Sequence, residues 1–223
     1  MTRASSTWSR VLMLMLLCSA GPLCAASPEP AADPPDPAWI LSRIARPGAI
    51  TTQFVELRDS ALLNTPLRLQ GRYMRDADAT LVREVTAPYH EKITLRGQTA
   101  TLERDGKQPR TFALARAPEL LGLQHAFGAL LSGDAAQLQQ HYTLSAAGTR
   151  QAWQLRLDPR QAAAAQAPVR QIQLYGRGAE LRCIETTDDK GQHQRTLLAG
   201  AAQAAAQVED ADALAALCRG QPG

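Results

Sequence analysis

No catalytic constellation can be assembled from this sequence. A Gly-x-Ser-x-Gly elbow is absent, and the chain beyond residue 26 holds few serines to serve as nucleophiles. The four histidines, His90, His125, His141 and His193, fall in separate segments, and His90-Glu91 lacks the second histidine that a zinc-binding His-Glu-x-x-His helix requires. They read as surface or turn residues. Gly176-Arg177-Gly178 starts like a dinucleotide fingerprint, but no third glycine follows on cue and both flanks have strand patterning, so it reads as a hairpin. Glu56 and Arg58 share one strand face, either as an acid with its partner or as charges on the exterior of a sheet. No enzyme activity, metal or cofactor is expected.

An excess of one charge is missing too. Removing Arg3 and Arg10, which lie in the N-terminal segment, from 24 Lys and Arg leaves 22 against 21 Asp and Glu. The arginines are scattered over many segments, with no run dense enough to neutralise a row of phosphates, which argues against nucleic acid as a partner.

Long apolar runs are confined to the N-terminus. Arg3 and Arg10 supply a positive region, residues 11–17 a compact apolar stretch, and Cys24-Ala25-Ala26 a small-residue cleavage site. A secretory signal peptide over residues 1–26, cleaved after Ala26, is the expectation. A spanning helix needs about 20 apolar residues, and Gly21 and Pro22 interrupt this one. Leu17 precedes Cys18 and Leu23 precedes Cys24, where bacterial lipoproteins carry a small residue, so a lipidated N-terminus is not expected. The mature chain is expected to be soluble in a bacterial periplasm.

Cysteine is scarce. Two of the four leave with the leader, and Cys183 and Cys218 remain for an oxidising compartment. An isolated pair there implies one disulfide, and no Cys-x-x-Cys context suggests a redox pair.

What is present is strand patterning. With 45% hydrophobic residues the chain can bury one sizeable core. Residues 27–37 form a Pro/Ala-rich linker, at whose end Asp36 can cap a short helix with Pro37 at its first position and Trp39, Ile40, Ile44 and Leu41 as candidates for its apolar stripe. Residues 53–114 then alternate apolar and polar positions, punctuated by Asn64-Thr65-Pro66, Asp76-Ala77-Asp78, Arg96-Gly97-Gln98 and Asp105-Gly106. This predicts an up-and-down meander that wraps an apolar surface. Alternation puts Leu67, Leu69 and Tyr73 on one face of a strand, Leu81 and Val85 on the next, and Ile93 with Leu95 on a third, all lining one concave side. Residues 118–141 change to helical spacing through Leu120, Leu121, Leu123, Phe127, Leu130 and Leu131, with Asp134 able to cap a further turn through Leu138. This apolar helix would cover the opening of an unclosed barrel. Strand patterning resumes at 142–144, 153–157, 172–175, 181–184 and 196–198, for about ten strands in all, and residues 201–217 read as an alanine-rich helix that packs weakly unless Cys218 pins it.

A short N-terminal helix, a Phe-x-Glu strand start at Phe54, Gly71 in the next hairpin strand, the strand end Thr86-Ala87-Pro88 and a central helix together resemble the periplasmic outer-membrane lipoprotein carrier LolA, in particular its divergent LolA-related branch. The resemblance covers roughly residues 39–198. It implies an α+β fold, an incomplete antiparallel β-barrel or strongly curved sheet with helices over the open side, spanning a carrier domain at 38–200 before a helical extension at 201–223. It also implies a monomer that shields acyl chains in an apolar cavity between an inner-membrane donor and an outer-membrane acceptor. The cavity candidates are Phe54, Leu67, Leu69, Tyr73, Leu81, Val85, Ile93, Leu95, Leu121 and Phe127. LolA proteins carry an Arg-Pro pair shortly after the glycine strand, whose arginine helps hold the lid closed. Ala77 and Asp78 stand there in this chain, so no latch residue is carried over, and the cargo is an acylated lipoprotein or another lipid. The alternative is a periplasmic interaction or scaffold module whose sheet fills its own core.

Overall fold

Asp36 begins the first regular element: its carboxylate accepts a hydrogen bond from the Trp39 amide at 2.8 Å, and Pro37 occupies the first turn, where its missing N–H costs nothing. Helix α1 (Pro37–Ile44) buries Ile40, Leu41 and Ile44. The structure is a computed structural model and describes residues 34–59, 64–116, 132–160 and 169–220. The expected signal peptide, most of the linker, the apolar segment with Leu121 and Phe127, and the alanine-rich stretch at 161–166 lie outside the described residues.

Among the described residues, eleven strands follow α1. They are β1 (Ile50–Arg58), β2 (Leu67–Arg75), β3 (Leu81–Ala87), β4 (Glu91–Arg96), β5 (Thr99–Arg104) and β6 (Arg110–Ala113), then β7 (Tyr142–Gly148), β8 (Trp153–Pro159), β9 (Val169–Arg177), β10 (Glu180–Asp188) and β11 (His193–Leu198). The first half is the expected up-and-down meander, and the second half has the same antiparallel neighbour-to-neighbour order. The halves join where β1 pairs with β11, so one sheet runs β6-β5-β4-β3-β2-β1-β11-β10-β9-β8-β7. β6 and β7 are its edges, and the sheet does not close. Gly176-Arg177-Gly178 lies at the β9–β10 hairpin, as its flanks suggested, and Gly176 gives its space to Trp153: a Cβ there would sit 2.0 Å from the indole.

The two faces carry different cores. On the front face, Phe54, Leu69 and Val85 continue through Leu198 and Ile184 to Leu174, Leu155, Leu157 and Trp153. Helix α1 and helix α2 (Ala135–His141, capped by Asp134 as expected) pack on the β7–β10 half of this face. Beyond β3, Leu95, Ala100 and Leu114 make a smaller cluster with Leu81, Ile93 and Phe112 against it. The reverse face holds Val55, Leu57, Cys183 and Leu197 under helices α3 (Ala199–Ala205) and α4 (Ala211–Cys218).

The C-terminal stretch is therefore two helices, where alanine periodicity suggested one. The break has identifiable chemistry. Arg68 on β2 donates to the carbonyls of Ala205, Ala206 and Val208, satisfying the end of α3, and Asp210 restarts the chain by accepting from the Ala213 amide at 2.7 Å. Cys183 and Cys218 form the expected disulfide, both fully buried.

Candidate ligand-binding face

Residues directly opposite in an antiparallel pair share a face, so the register decides which side chains can meet. Phe54 lies opposite Gly71, and Gly71 opposite Val85. Tyr73 faces Arg83, which faces Ile93, and Leu81 faces Leu95. Leu67 and Leu69 lie opposite Arg58 and Glu56. The eight described cavity candidates are thus on the front face, and they fall into two groups by exposure. Phe54, Leu69, Val85 and Leu95 are buried, whereas Leu67, Leu81 and Ile93 are partly buried, as is Tyr73, whose hydroxyl end is buried. Among the described residues no α-helix packs extensively on β2–β6. Gly71 is required by close approach, since a Cβ would stand 1.9 Å from the Glu84 carbonyl oxygen and 2.9 Å from the Phe54 ring. Its absence lets Phe54 lie over β2 and reach Tyr73, with ring centroids 4.8 Å apart.

The placement of Glu56 corrects one of the two sequence-based alternatives. It is not a charge on the exterior of the sheet: it is fully buried on the front face, between Phe54 and Leu69. Arg58 donates to it at 2.7 Å and Arg83 at 3.1 and 3.2 Å, and the Thr196 hydroxyl donates from β11 at 3.4 Å. Arg83 also reaches Glu91 at 3.8 Å, and Arg104 donates to Glu91 at 2.7 Å. The chain Arg58–Glu56–Arg83–Glu91–Arg104 thus crosses the apolar wall from β1 to β5. Arg83 lies over the Phe54 ring, its guanidinium carbon 5.0 Å from the centroid, so the cation is stacked as well as paired. Strand parity carried the signal: Glu56 is two residues from Phe54, Arg83 stands between Leu81 and Val85, and Glu91 is two residues from Ile93.

Burial pushes the Tyr73 hydroxyl up to about 12, and the Glu56 carboxylate adds to the shift while Arg83, which hydrogen-bonds to Tyr73, opposes it. Tyr73 in the folded chain therefore stays neutral where an unfolded tyrosine, near 10, ionises. Its contribution to stability is complete below about pH 10 and is lost as pH rises toward about 12. An ultraviolet phenolate titration should show a late step that Tyr73→Phe removes; titration of every tyrosine near 10 would contradict this packing.

Elsewhere, the described histidines His90 and His193 pair with polar neighbours, and His125 lies outside the described residues. His90 sits 3.3 Å from both Glu84 and Asp105, and His193 bonds Thr187 at 3.2 Å. A cleft of about 340 Å³ on the reverse side is lined by Arg68, Gln70, Ala206, Gln207 and Glu209, away from the apolar wall.

An unclosed antiparallel sheet with an apolar core on each face and helices over part of each defines a class of open-sided β-proteins. Within that class, the sequence profile described as outer membrane lipoprotein carrier protein LolA-like matches residues 26–221, and the chain belongs to this family. No curated protein matches it. Among solved structures, it is similar to a LolA superfamily protein, NE2245, from Nitrosomonas europaea, at 10% identity over 74% of this chain and 92% of that one, with a TM-score of 0.38. It is similar also to the Pseudomonas aeruginosa MucA/MucB complex, at 15% identity over 73% of this chain and 55% of the other, with a TM-score of 0.39. A third is LprF from Mycobacterium bovis, at 12% identity, 74% and 91% coverage and a TM-score of 0.35.

Proposed function

We propose that this chain is a non-enzymatic carrier of the extracytoplasmic space, exported by its N-terminal segment. Its front face holds the acyl chains of a lipoprotein or another lipid in transit from an inner-membrane donor to an outer-membrane acceptor. The observation that carries this reading is the partly buried row of Leu67, Leu81 and Ile93 beside the Tyr73 ring, apolar groups that the described elements leave incompletely covered on the β2–β4 part of the sheet. Family membership supports it. So does the disulfide, which belongs in an oxidising compartment. Each methylene withdrawn from water contributes about 0.8 kcal/mol, so a ligand with one acyl chain binds such a face with few directed contacts.

Native mass spectrometry of protein gently extracted from cells should show a lipid adduct. Leu81→Asp should lose it, because a carboxylate placed in the row must either be desolvated or hold water against the ligand. Leu81 is half-buried, so the substitution is compatible with folding, to be checked by circular dichroism. Protein that carries no lipid would leave the chain as an interaction module with a filled core, and a variant with an unchanged lipid load would move the ligand away from the Leu81 row.

A further inference from the structure

We infer that the charged chain across the front face is an anchoring site for the anionic head group of an amphiphile whose tail lies along the apolar rows; this rests on the reading of that face as lipid-binding. Three guanidiniums stand against two carboxylates, a surplus of one positive charge. The carboxylates are withdrawn, with Glu56 and Glu91 side chains 0% and 10% exposed, while Arg58 and Arg104 are 45% and 48% exposed. What a ligand meets is therefore cationic. Each guanidinium has five N–H donors in a planar fork, so one carboxylate partner leaves donors for a second anion.

Position gives the site a direction. Arg58 ends β1 and Arg104 ends β5, and these strands run the same way, so both cations stand toward one end of the sheet. From Glu91 along β4 to Leu95 the front face carries Ile93 and Leu95, and four residues at about 3.4 Å each give a path of about 14 Å. A wall that held only hydrocarbon would need none of these charges: ion pairs withdrawn from water are commonly replaceable by apolar side chains at no loss of stability. A head group with a negative charge gives the surplus guanidinium donors a partner, and a neutral one does not.

Isothermal titration calorimetry should compare dodecanoate, dodecanol and acetate on the folded chain. Dodecanoate is expected to bind at least about tenfold more tightly than dodecanol, with acetate giving no measurable heat. Added salt should weaken dodecanoate alone. In the Arg58→Gln/Arg104→Gln double variant, which alters two half-exposed strand ends, the difference should vanish and dodecanol binding should persist. Equal affinities in the wild type, or a difference that survives in the double variant, would each overturn the anchor at these arginines while leaving the apolar face as the binding site; acetate binding as tightly as dodecanoate would overturn the amphiphile, because the tail would then contribute nothing. Failure of both amphiphiles to bind would overturn the carrier reading and the anchor with it. The wild-type comparison stands whether or not the double variant folds.

Discussion

Replacing Glu56 with alanine should cost about 3–5 kcal/mol of stability, read from the midpoint and slope of guanidinium chloride unfolding. The side chain is fully buried and receives hydrogen bonds from Arg58, Arg83 and Thr196. Removing it leaves the Arg83 guanidinium, itself only 14% exposed, with Glu91 at 3.8 Å as its remaining carboxylate. That uncompensated charge, more than the lost contact, sets the size of the effect. The double variant Glu56→Leu/Arg83→Met should therefore recover much of the loss, since it removes charge and counter-charge together. A neighbour in sequence is no substitute for burial: the Arg156–Asp158 pair at 2.7 Å is half-exposed, and Asp158→Ala should change stability by less than about 1 kcal/mol. A Glu56→Ala loss as small as that of Asp158→Ala would show that the network is solvated in solution.

The Glu56 result bears on how far the sequence could be read. Strand existence and pairing order followed from alternation and turn chemistry, because a period of two with Gly and Asp punctuation has few other solutions. The face assignment of Leu67, Leu69, Tyr73, Leu81, Val85, Ile93 and Leu95 followed for the same reason. The same parity rule, applied to Glu56, Arg83 and Glu91, places them inward as well. What concealed them was residue type, because a charged side chain is ordinarily evidence of solvent. Only pairing across three separate strands makes its burial tolerable, and that pairing is a long-range property. The joining of the two halves through β1 and β11 is likewise non-local, since the paired segments lie about 140 residues apart, as Glu56 and Thr196 do. The C-terminal break was hidden by composition. Alanine periodicity extends a helix through residues 206–210, and the choice to stop belongs to Arg68, a residue on a distant strand that holds the free carbonyls.

Loss of the disulfide should be nearly as costly, by about 3–4 kcal/mol in the chain-entropy model, for the double variant Cys183→Ala/Cys218→Ala. The bridge spans 35 residues and joins β10 to the last turn of α4. Its importance follows from what surrounds it. Helices α3 and α4 bury Ala201, Ala202, Ala205 and Leu214, and a buried alanine methyl contributes far less than the roughly 1.5–3 kcal/mol of a leucine or valine. Leu214 alone supplies a large, fully buried apolar side chain on these helices. The covalent link and the Arg68 clamp therefore do most of the holding that packing does elsewhere. These helices cover β1, β10 and β11, the strands through which the two meanders join. Hydrogen exchange on the double variant should show α4 amides opening first, with β10 and β11 following, while β8 and β9 keep their protection under Trp153 and Leu155. A stability loss below about 1 kcal/mol with α4 protection unchanged would mean that the helix is held by its few apolar contacts after all. The expected pattern would instead place the weakest packing of the fold directly behind the seam on whose front face Phe54 and Glu56 lie.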